Sequence, residues 1–240
     1  MITAGDNLAE LIINALNAID MRLQSGDIVV VAQKIISKAE DRCIDLATVT
    51  PSDAAIKLAS EVDKDPRIVE LILSESDSVM RKKPGVLITR HRLGLVGAHA
   101  GIDQSNVDHS NGEHALLLPA DPDASAKKLL KELVQGTVEG LGLIISDSMN
   151  RPWRLGTVGC AIGSAGISVL DDHVGGTDIY GRELKVTLIN RADAIATAAT
   201  LIMGETVEKI PLVIVRGFPS EKSKSTAKDI VRPLDEDLFL

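Results

Sequence analysis

Asp147 and Ser148 close the apolar run Leu141-Gly-Leu-Ile-Ile145-Ser146, and Arg151, Pro152, the single tryptophan Trp153 and Arg154 follow at once. A strand that stops at an aspartate beside a hydroxyl offers hard oxygen donors of the kind Mg²⁺ and Mn²⁺ take. In open sheets the carboxyl ends of strands are where ligands sit. The two arginines are planar forks suited to phosphate or carboxylate. Asx turns and solvated strand ends use the same residues, and for this segment alone the two readings weigh equally. A second oxygen-rich group shifts the balance: Asp103, Ser105 and Asn106 follow the Gly101 turn in quick succession. Glu205, beside the Gly204 that ends an alanine-rich helix, is a third source of carboxylate. Between such groups one or two metals would clamp the attacking and leaving oxygens of a phosphoryl transfer. Lys38 and the central arginines would neutralise the phosphates and orient a carboxylate. On spacing alone, helix caps and Asx turns remain the commoner use of these side chains.

The composition narrows the possibilities. Hydrophobic residues make up 45% of 240 residues, enough for a sizeable core, and the chain fits one large domain or two small ones. Aromatics are 2%, so the core must be built from Ala, Val, Ile and Leu. A net charge of −8 argues against nucleic acid, which is held by basic surfaces and stacking rings. Two cysteines, Cys43 and Cys160, cannot make a disulfide framework. The five histidines lack zinc spacing. No leader and no apolar run near about eighteen residues is seen, so a cytoplasmic protein that does not enter the membrane is expected.

The elements that must position these residues read as a mixture of helices and buried strands. Asn7 and Glu10 have capping-box spacing at the head of a helix whose apolar face is Leu8, Leu11, Ile12, Leu16 and Ile19. Ile28 to Ala32 reads as a buried strand that runs into Gln33, Lys34, Ser37 and Lys38. Helices are expected from Ser52 to about Ser60, from Asp65-Pro66 onward, from Asp123 to about Val134, and from Ala192 to Met203. Val86–Thr89 and Leu93–Val96 resemble a hairpin around Arg90 to Arg92, and Pro211–Val215 is a last strand. Residues 219–240 form a charged tail expected to be extended. No internal repeat, P-loop, dinucleotide fingerprint or nucleophile elbow occurs.

Three further features stay open on the residues alone. Gly156, Gly159, Gly163 and Gly166 either let backbone approach a ligand or serve tight packing. Tyr180 with Gly181-Arg182 either stacks on a substrate or lies half-buried at the surface. His99 is either a base or, more commonly, a core histidine.

The ordered set of segments resembles the coenzyme F420-0:L-glutamate ligases, the γ-glutamyl ligases of the 5-deazaflavin coenzyme. The segments are Gly26–Val31 with Ile36-Ser37-Lys38-Ala39-Glu40, His99-Ala-Gly-Ile-Asp103-Gln-Ser-Asn106-Val107, and Ser146 to Arg154. Asp178-Ile-Tyr180-Gly181-Arg182-Glu183-Leu184, Ala192 to Glu205 and Val215-Arg216-Gly217 complete it. The resemblance covers roughly residues 5 to 218. It implies a GTP-dependent ligase that phosphorylates the terminal carboxylate of the lactyl-phosphate side chain, after which the amine of L-glutamate attacks the acyl phosphate. Further glutamates follow through γ-carboxylates. It implies Mg²⁺ or Mn²⁺, two ions by preference, with K⁺ as a further candidate. Asp103, Asp147, Ser148 and Glu205 are the implied metal ligands, and Asp147, Lys38 and Arg151 the implied catalytic set. Ser37, Lys38, Asn106, Gly204, Glu205 and Thr206 are the implied GTP contacts. Arg154, Tyr180 and Arg182 are assigned to coenzyme or glutamate.

The implied fold is α+β, a mixed-sheet two-lobed architecture of the family's own in an intertwined homodimer. The implied ligase domain spans residues 1–218. It lacks the strand and Gly-x-Pro loop with which family members usually begin, and Glu205 stands where Gln is more usual. The nitroreductase-like second domain of some bacterial members is expected to be absent. The competing readings are a metal-dependent phosphatase or nucleotide hydrolase using the same carboxylates, and a non-catalytic deazaflavin-binding subunit.

Overall fold

The computed structural model describes residues 1–136, 138–218 and 223–237. Its elements, in chain order, are α1 (Leu8–Ala18), β1 (Ile28–Ala32), α2 (Gln33–Ala39), β2 (Cys43–Asp45), α3 (Asp53–Val62), α4 (Pro66–Ser74), β3 (Ser76–Lys83), β4 (Val86–His91), β5 (Val96–Ala98) and β6 (His114–Leu116). They continue with α5 (Pro122–Gly136), β7 (Gly142–Asn150), β8 (Thr157–Ala165), β9 (Leu170–Asp172), β10 (Leu188–Asn190), α6 (Arg191–Met203) and β11 (Leu212–Val215). This is an α+β chain with mixed sheets.

The central sheet has the order β11-β1-β7-β8, with β1 and β7 parallel and both outer pairs antiparallel. Helices cover both faces, which is why β1 and β7 read as unbroken apolar runs instead of alternating ones. Val29, Val31, Leu143 and Ile145 face Leu8, Ile12 and Leu16 of α1 and Leu129 and Leu133 of α5. Ile28, Val30 and Ile144 face Ala192, Ile195, Ala196 and Ala199 of α6. A separate core gathers Ala55, Ala59 and Val62 of α3, Val69, Leu71 and Ile72 of α4, Leu87 of β4, and Ala115 and Leu117. Above it lie the three-stranded sheet β3-β4-β5 and the pair β2-β6.

Local chemistry sets the ends of these elements. Asn7 accepts a hydrogen bond from Glu10 N, capping α1. Pro66 sits in the first turn of α4, where its missing N–H costs nothing, and Asp65 caps that turn. Asp27 is buried and pairs with the Arg216 guanidinium through both carboxylate oxygens at 2.7 and 2.8 Å, pinning β11 beside β1. Burial works to raise the Asp27 carboxyl, but Arg216 outweighs it and holds the group below its ordinary range. The hairpin differs from its expected limits: β4 extends to His91 and the turn lies later. Arg90 still pairs with Val96 in the ladder, which carries the strand past the predicted turn.

The glycine run resolves as packing at three positions. Between Ile145 and Ser146 the β7–β8 register shifts, from Ile145↔Gly163 to Ser146↔Ala161. The bulge puts Gly159 toward α6 and Gly163 toward α5. A Cβ at Gly159 would lie 2.4 Å from the Ala196 carbonyl oxygen, and one at Gly163 would lie 2.4 Å from that of Pro122. One at Gly166 would meet the Leu141 carbonyl oxygen at 2.7 Å. Gly159→Ala is therefore expected to lower stability by roughly 2–3 kcal/mol, a drop of about 5–10 °C in Tm readable by calorimetry. A variant as stable as the wild type would mean that α6 can move away from β8 freely.

The tail is less extended than expected. It carries short 3₁₀ turns at Ala227–Ile230 and Leu234–Glu236. Among the described residues no helix is long and apolar enough to cross a membrane.

Candidate active site

Parallel pairing of β1 with β7 matches Ala32 with Ser146, so the start of α2 lies beside Asp147 at the carboxyl ends of both strands. Lys34 and Lys38 are four residues apart on α2 and share a face. Lys34 Nζ donates to Asp103 Oδ2 at 2.7 Å, to Ser105 Oγ at 2.8 Å and to the Ser105 carbonyl at 3.0 Å. Lys38 Nζ donates to the Asn106 carbonyl at 2.6 Å. Asn106 Nδ2 in turn donates to the Thr206 carbonyl at 3.2 Å, joining the loop to the turn after α6. Burial and the neighbouring Lys34 charge push the Lys38 ammonium below its ordinary range.

The loop that presents Asp103 is built on strained backbone. His99, Ala100 and Gly101 all have positive φ, at 56°, 55° and 67°. The left-handed region costs non-glycine residues energy and is retained where the surroundings over-determine it. A two-way backbone bridge to Leu116 then fixes Asp103. Its carboxylate accepts from Ser105 N at 2.7 Å and Ser105 Oγ at 2.8 Å, an Asx turn. Burial favours the neutral acid, but Lys34 and Ser105 outweigh it, so Asp103 is held below the usual carboxylate range.

Asp147 has the opposite character. It is half-buried on β7, cross-strand from Cys160. Burial pushes its carboxyl up to about 7, and the Asp103 and Glu205 charges add to the rise. Lys34 and the Ser148 N–H oppose it without prevailing. Cys160, facing it, has its thiol pushed up to about 12 by burial and by the Asp193 and Asp147 charges, so it is no nucleophile.

The structure thus joins Lys34, Lys38, Asp103, Ser105, Asn106 and Thr206 by hydrogen bonds, and brings Asp147 and Glu205 within reach of their charges. Ser37 is buried and turned inward, donating to Gln33 Oε1 at 2.8 Å. Gly204 to Glu208 form a self-bonded turn in which Thr206 N and Oγ1 donate to the Glu208 carboxylate. Arg151, Arg154, Tyr180 and Arg182 stand on exposed turns. Among the described residues no hydrogen bond links those four to the Asp103 group. His99 is half-buried with its imidazole lowered below the ordinary range, by burial first and then by Lys64. Lys34 is the site residue that sequence reasoning passed over, and its signal was the lysine pair at helical spacing just after a strand.

Among the described residues no three His, Cys, Asp or Glu side chains are gathered closely enough to hold a metal ion. The donor chemistry fits a hard divalent cation nonetheless. Asp147 is a carboxyl short of positive charge, with a hydroxyl next to it and two further carboxylates in electrostatic reach.

The family model described as F420-0:Gamma-glutamyl ligase matches residues 1–217. The chain belongs to the F420-0:gamma-glutamyl ligase family. It is similar to the coenzyme F420:L-glutamate ligase of Methanothermobacter thermautotrophicus, 44% identical over 241 residues, covering 100% of this chain and 94% of the relative. The proteins of the same name from Methanopyrus kandleri and Methanocaldococcus jannaschii are 42% and 41% identical, each over at least 97% of this chain and 90% of the relative. All the residues joined at the strand ends lie inside the stretch that the family covers. The tail beyond Gly217 lies outside it.

Proposed function

We propose that this chain is a GTP-dependent ligase that joins L-glutamate to coenzyme F420-0 through an acyl phosphate, and extends the product with γ-linked glutamates. The observation that carries the reading is the junction of Lys34, Lys38 and the Asp103–Asn106 loop with Asp147 at the ends of two parallel strands, in a chain of this family.

Activating a carboxylate by phosphoryl transfer requires positioned positive charge more than a covalent nucleophile. Lys34 and Lys38 supply fixed ammonium groups at one wall of the site. Asn106, Ser37 and the Gly204–Thr206 turn are assigned to the nucleotide, with Ser37 acting from within its helix. Asp103, Asp147, Ser148 and Glu205 would hold Mg²⁺ or Mn²⁺, as one or two ions, with K⁺ a further candidate. When bound, the metal neutralises phosphoryl charge. The γ-phosphoryl group passes to the terminal carboxylate of the lactyl-phosphate chain. The free amine of glutamate then forms the C–N bond as the C–O bond to phosphate breaks, releasing inorganic phosphate and a proton. Arg151, Arg154 and Arg182 offer forks for the carboxylates of glutamate and the coenzyme, and Tyr180 a ring beside them.

The reading includes a two-lobed homodimer. Trp153, Leu155, Ile179, Tyr180 and Val186 are each at least 87% exposed, more contiguous apolar surface than a monomer commonly leaves to water. A second copy of the chain would cover it.

The test is a mass-spectrometric assay with F420-0, L-glutamate, Mg²⁺ or Mn²⁺, and GTP or ATP. Products heavier by whole glutamyl units, formed with GTP and metal together, are the expected result. Steady GTP loss without any adduct would replace the ligase by a hydrolase. Tight coenzyme binding with no nucleotide affinity would replace it by a binding subunit.

A further inference from the structure

Residues 223–237 cross from the central sheet to the β4–β5 hairpin and are anchored along the way. Ser225 Oγ donates to the Ile167 carbonyl at 3.1 Å and accepts from Val169 N at 3.3 Å, fixing the strap beside the end of β8. Asp123, in the first turn of α5, accepts from Ser164 N and Ala227 N at 2.9 Å through one carboxylate oxygen, and from Lys228 N at 3.3 Å through the other. One side chain thereby ties β8, α5 and the strap together. Val231 packs on the turn between β4 and β5, where a Cβ at Gly94 would come 2.7 Å from Val231 Cγ1. Leu93 and Leu95 of that turn pack against the main core from the other side. Only about 10 Å³ is left open between the turn, α5, β8 and the strap. Asp237 Oδ2 accepts from Arg90 Nη2 at 3.1 Å, with the two side chains only 17% and 9% exposed.

What the strap holds matters for the site. Arg90 is in β4 and pairs with Val96 of β5. β5 ends at Ala98 and runs through the left-handed turn directly into Asp103. Asp147 belongs to β7, in the central sheet. The two carboxylates thus stand on separate sheets, and the strap is bound to both. Three consecutive residues in the left-handed region will not hold their shape unless their surroundings do it for them.

We propose that residues 223–237 are a clamp that sets the Asp103–Asn106 loop against Asp147, with Arg90–Asp237 as its positioning contact. The role rests on the ligase reading for its kinetic arm alone. In the test, Asp237→Ala and Val231→Ala are compared with the wild type by amide hydrogen exchange of the nucleotide-free protein and by steady-state kinetics. Amides of residues 96–106 are expected to exchange about tenfold faster or more in both variants, while those of residues 143–146 keep their protection. The Tm is expected to fall by no more than about 5 °C. The KM for nucleotide is expected to rise about fivefold or more, with kcat less affected, and Asp237→Glu should restore it. Unchanged exchange over residues 96–106 in both variants would overturn the clamp, whatever reaction the protein catalyses. Faster exchange with unaltered KM would overturn its role in positioning the site. Val231→Ala removes only two methyl groups, so the comparison survives if Asp237→Ala fails to fold.

Discussion

Asp147→Asn is expected to abolish glutamate ligation while making the metal-free protein more stable above pH 7. The unfolded carboxyl titrates near 3.8, whereas burial and the charges of Asp103 and Glu205 push it up to about 7 in the folded chain. Below 3.8 the group is protonated in both states and adds nothing. Between the two values the unfolded chain releases its proton and the folded chain does not, so stability falls as pH rises, and above 7 the loss is complete. Its size is on the order of 2–4 kcal/mol. Asparagine carries no such charge, so in chelator the Tm gap between variant and wild type should be near zero at pH 4 and widest above pH 7. A divalent cation should reverse the order, because only the wild type gains binding energy from it. Turnover should fall by roughly 10³-fold or more, since the charge neutralisation at the phosphoryl group goes with the ligand. Calorimetry across pH, with and without Mn²⁺, reads the first effect and the glutamylation assay the second. A variant that still ligates would remove Asp147 from the site. One that is no more stable at pH 8.5 would mean that its charge is already balanced in the folded chain.

The same pressure explains why Asp147 was legible in the sequence and Lys34 was not. An aspartate that interrupts Leu141–Ile145 breaks the pattern of a fully buried strand, and a broken pattern is visible without a structure. Lys34 breaks nothing. It stands where β1 passes into α2 without a capping side chain, because Ala32 is the residue at the cap. Nothing short of the parallel register with β7 shows that this junction meets Asp103 and Asp147. The Asx turn at Asp103 was legible as well, and the structural and functional readings turn out to use the same atoms: Ser105 caps the carboxylate that Lys34 also holds.

Elements whose pattern comes from elsewhere stayed hidden. β3 reads Ser-Asp-Ser-Val-Met-Arg-Lys-Lys, with no alternation, and is a strand because β4 offers it a ladder with two irregularities. The bulge in β8 cannot be read from Gly159 to Gly163, since it exists to suit α6 on one face and α5 on the other. The strap depends on Asp123, about a hundred residues earlier in the chain. Such long-range dependence leaves no local periodicity behind.

Lys34→Met is expected to cost the enzyme its grip on nucleotide while leaving the fold standing. The Lys34–Asp103 pair is part-exposed, 27% and 40% by side chain, so its loss should change stability by no more than about 1 kcal/mol. Its effect on the site is larger, because one ammonium holds Asp103 Oδ2, Ser105 Oγ and the Ser105 carbonyl together. Without it the loop loses its tie to α2 at that point, and Lys38 alone remains through Asn106. A phosphate bound there also loses a fixed charge, and kcat/KM for GTP should fall roughly 100-fold. The pH profile supplies the readout that a structural role would not move. Lys34 holds the Asp103 carboxyl below its ordinary range against the opposing effect of burial. Removing the ammonium therefore raises that pKa, and the acid limb of kcat/KM should move to higher pH. Lys34→Arg should recover only part of the loss, since a planar fork cannot place three donors around one point as an ammonium does. An unmoved acid limb together with an unchanged KM for GTP would make Lys34 a surface tether and leave nucleotide phosphates to Lys38 and the arginines.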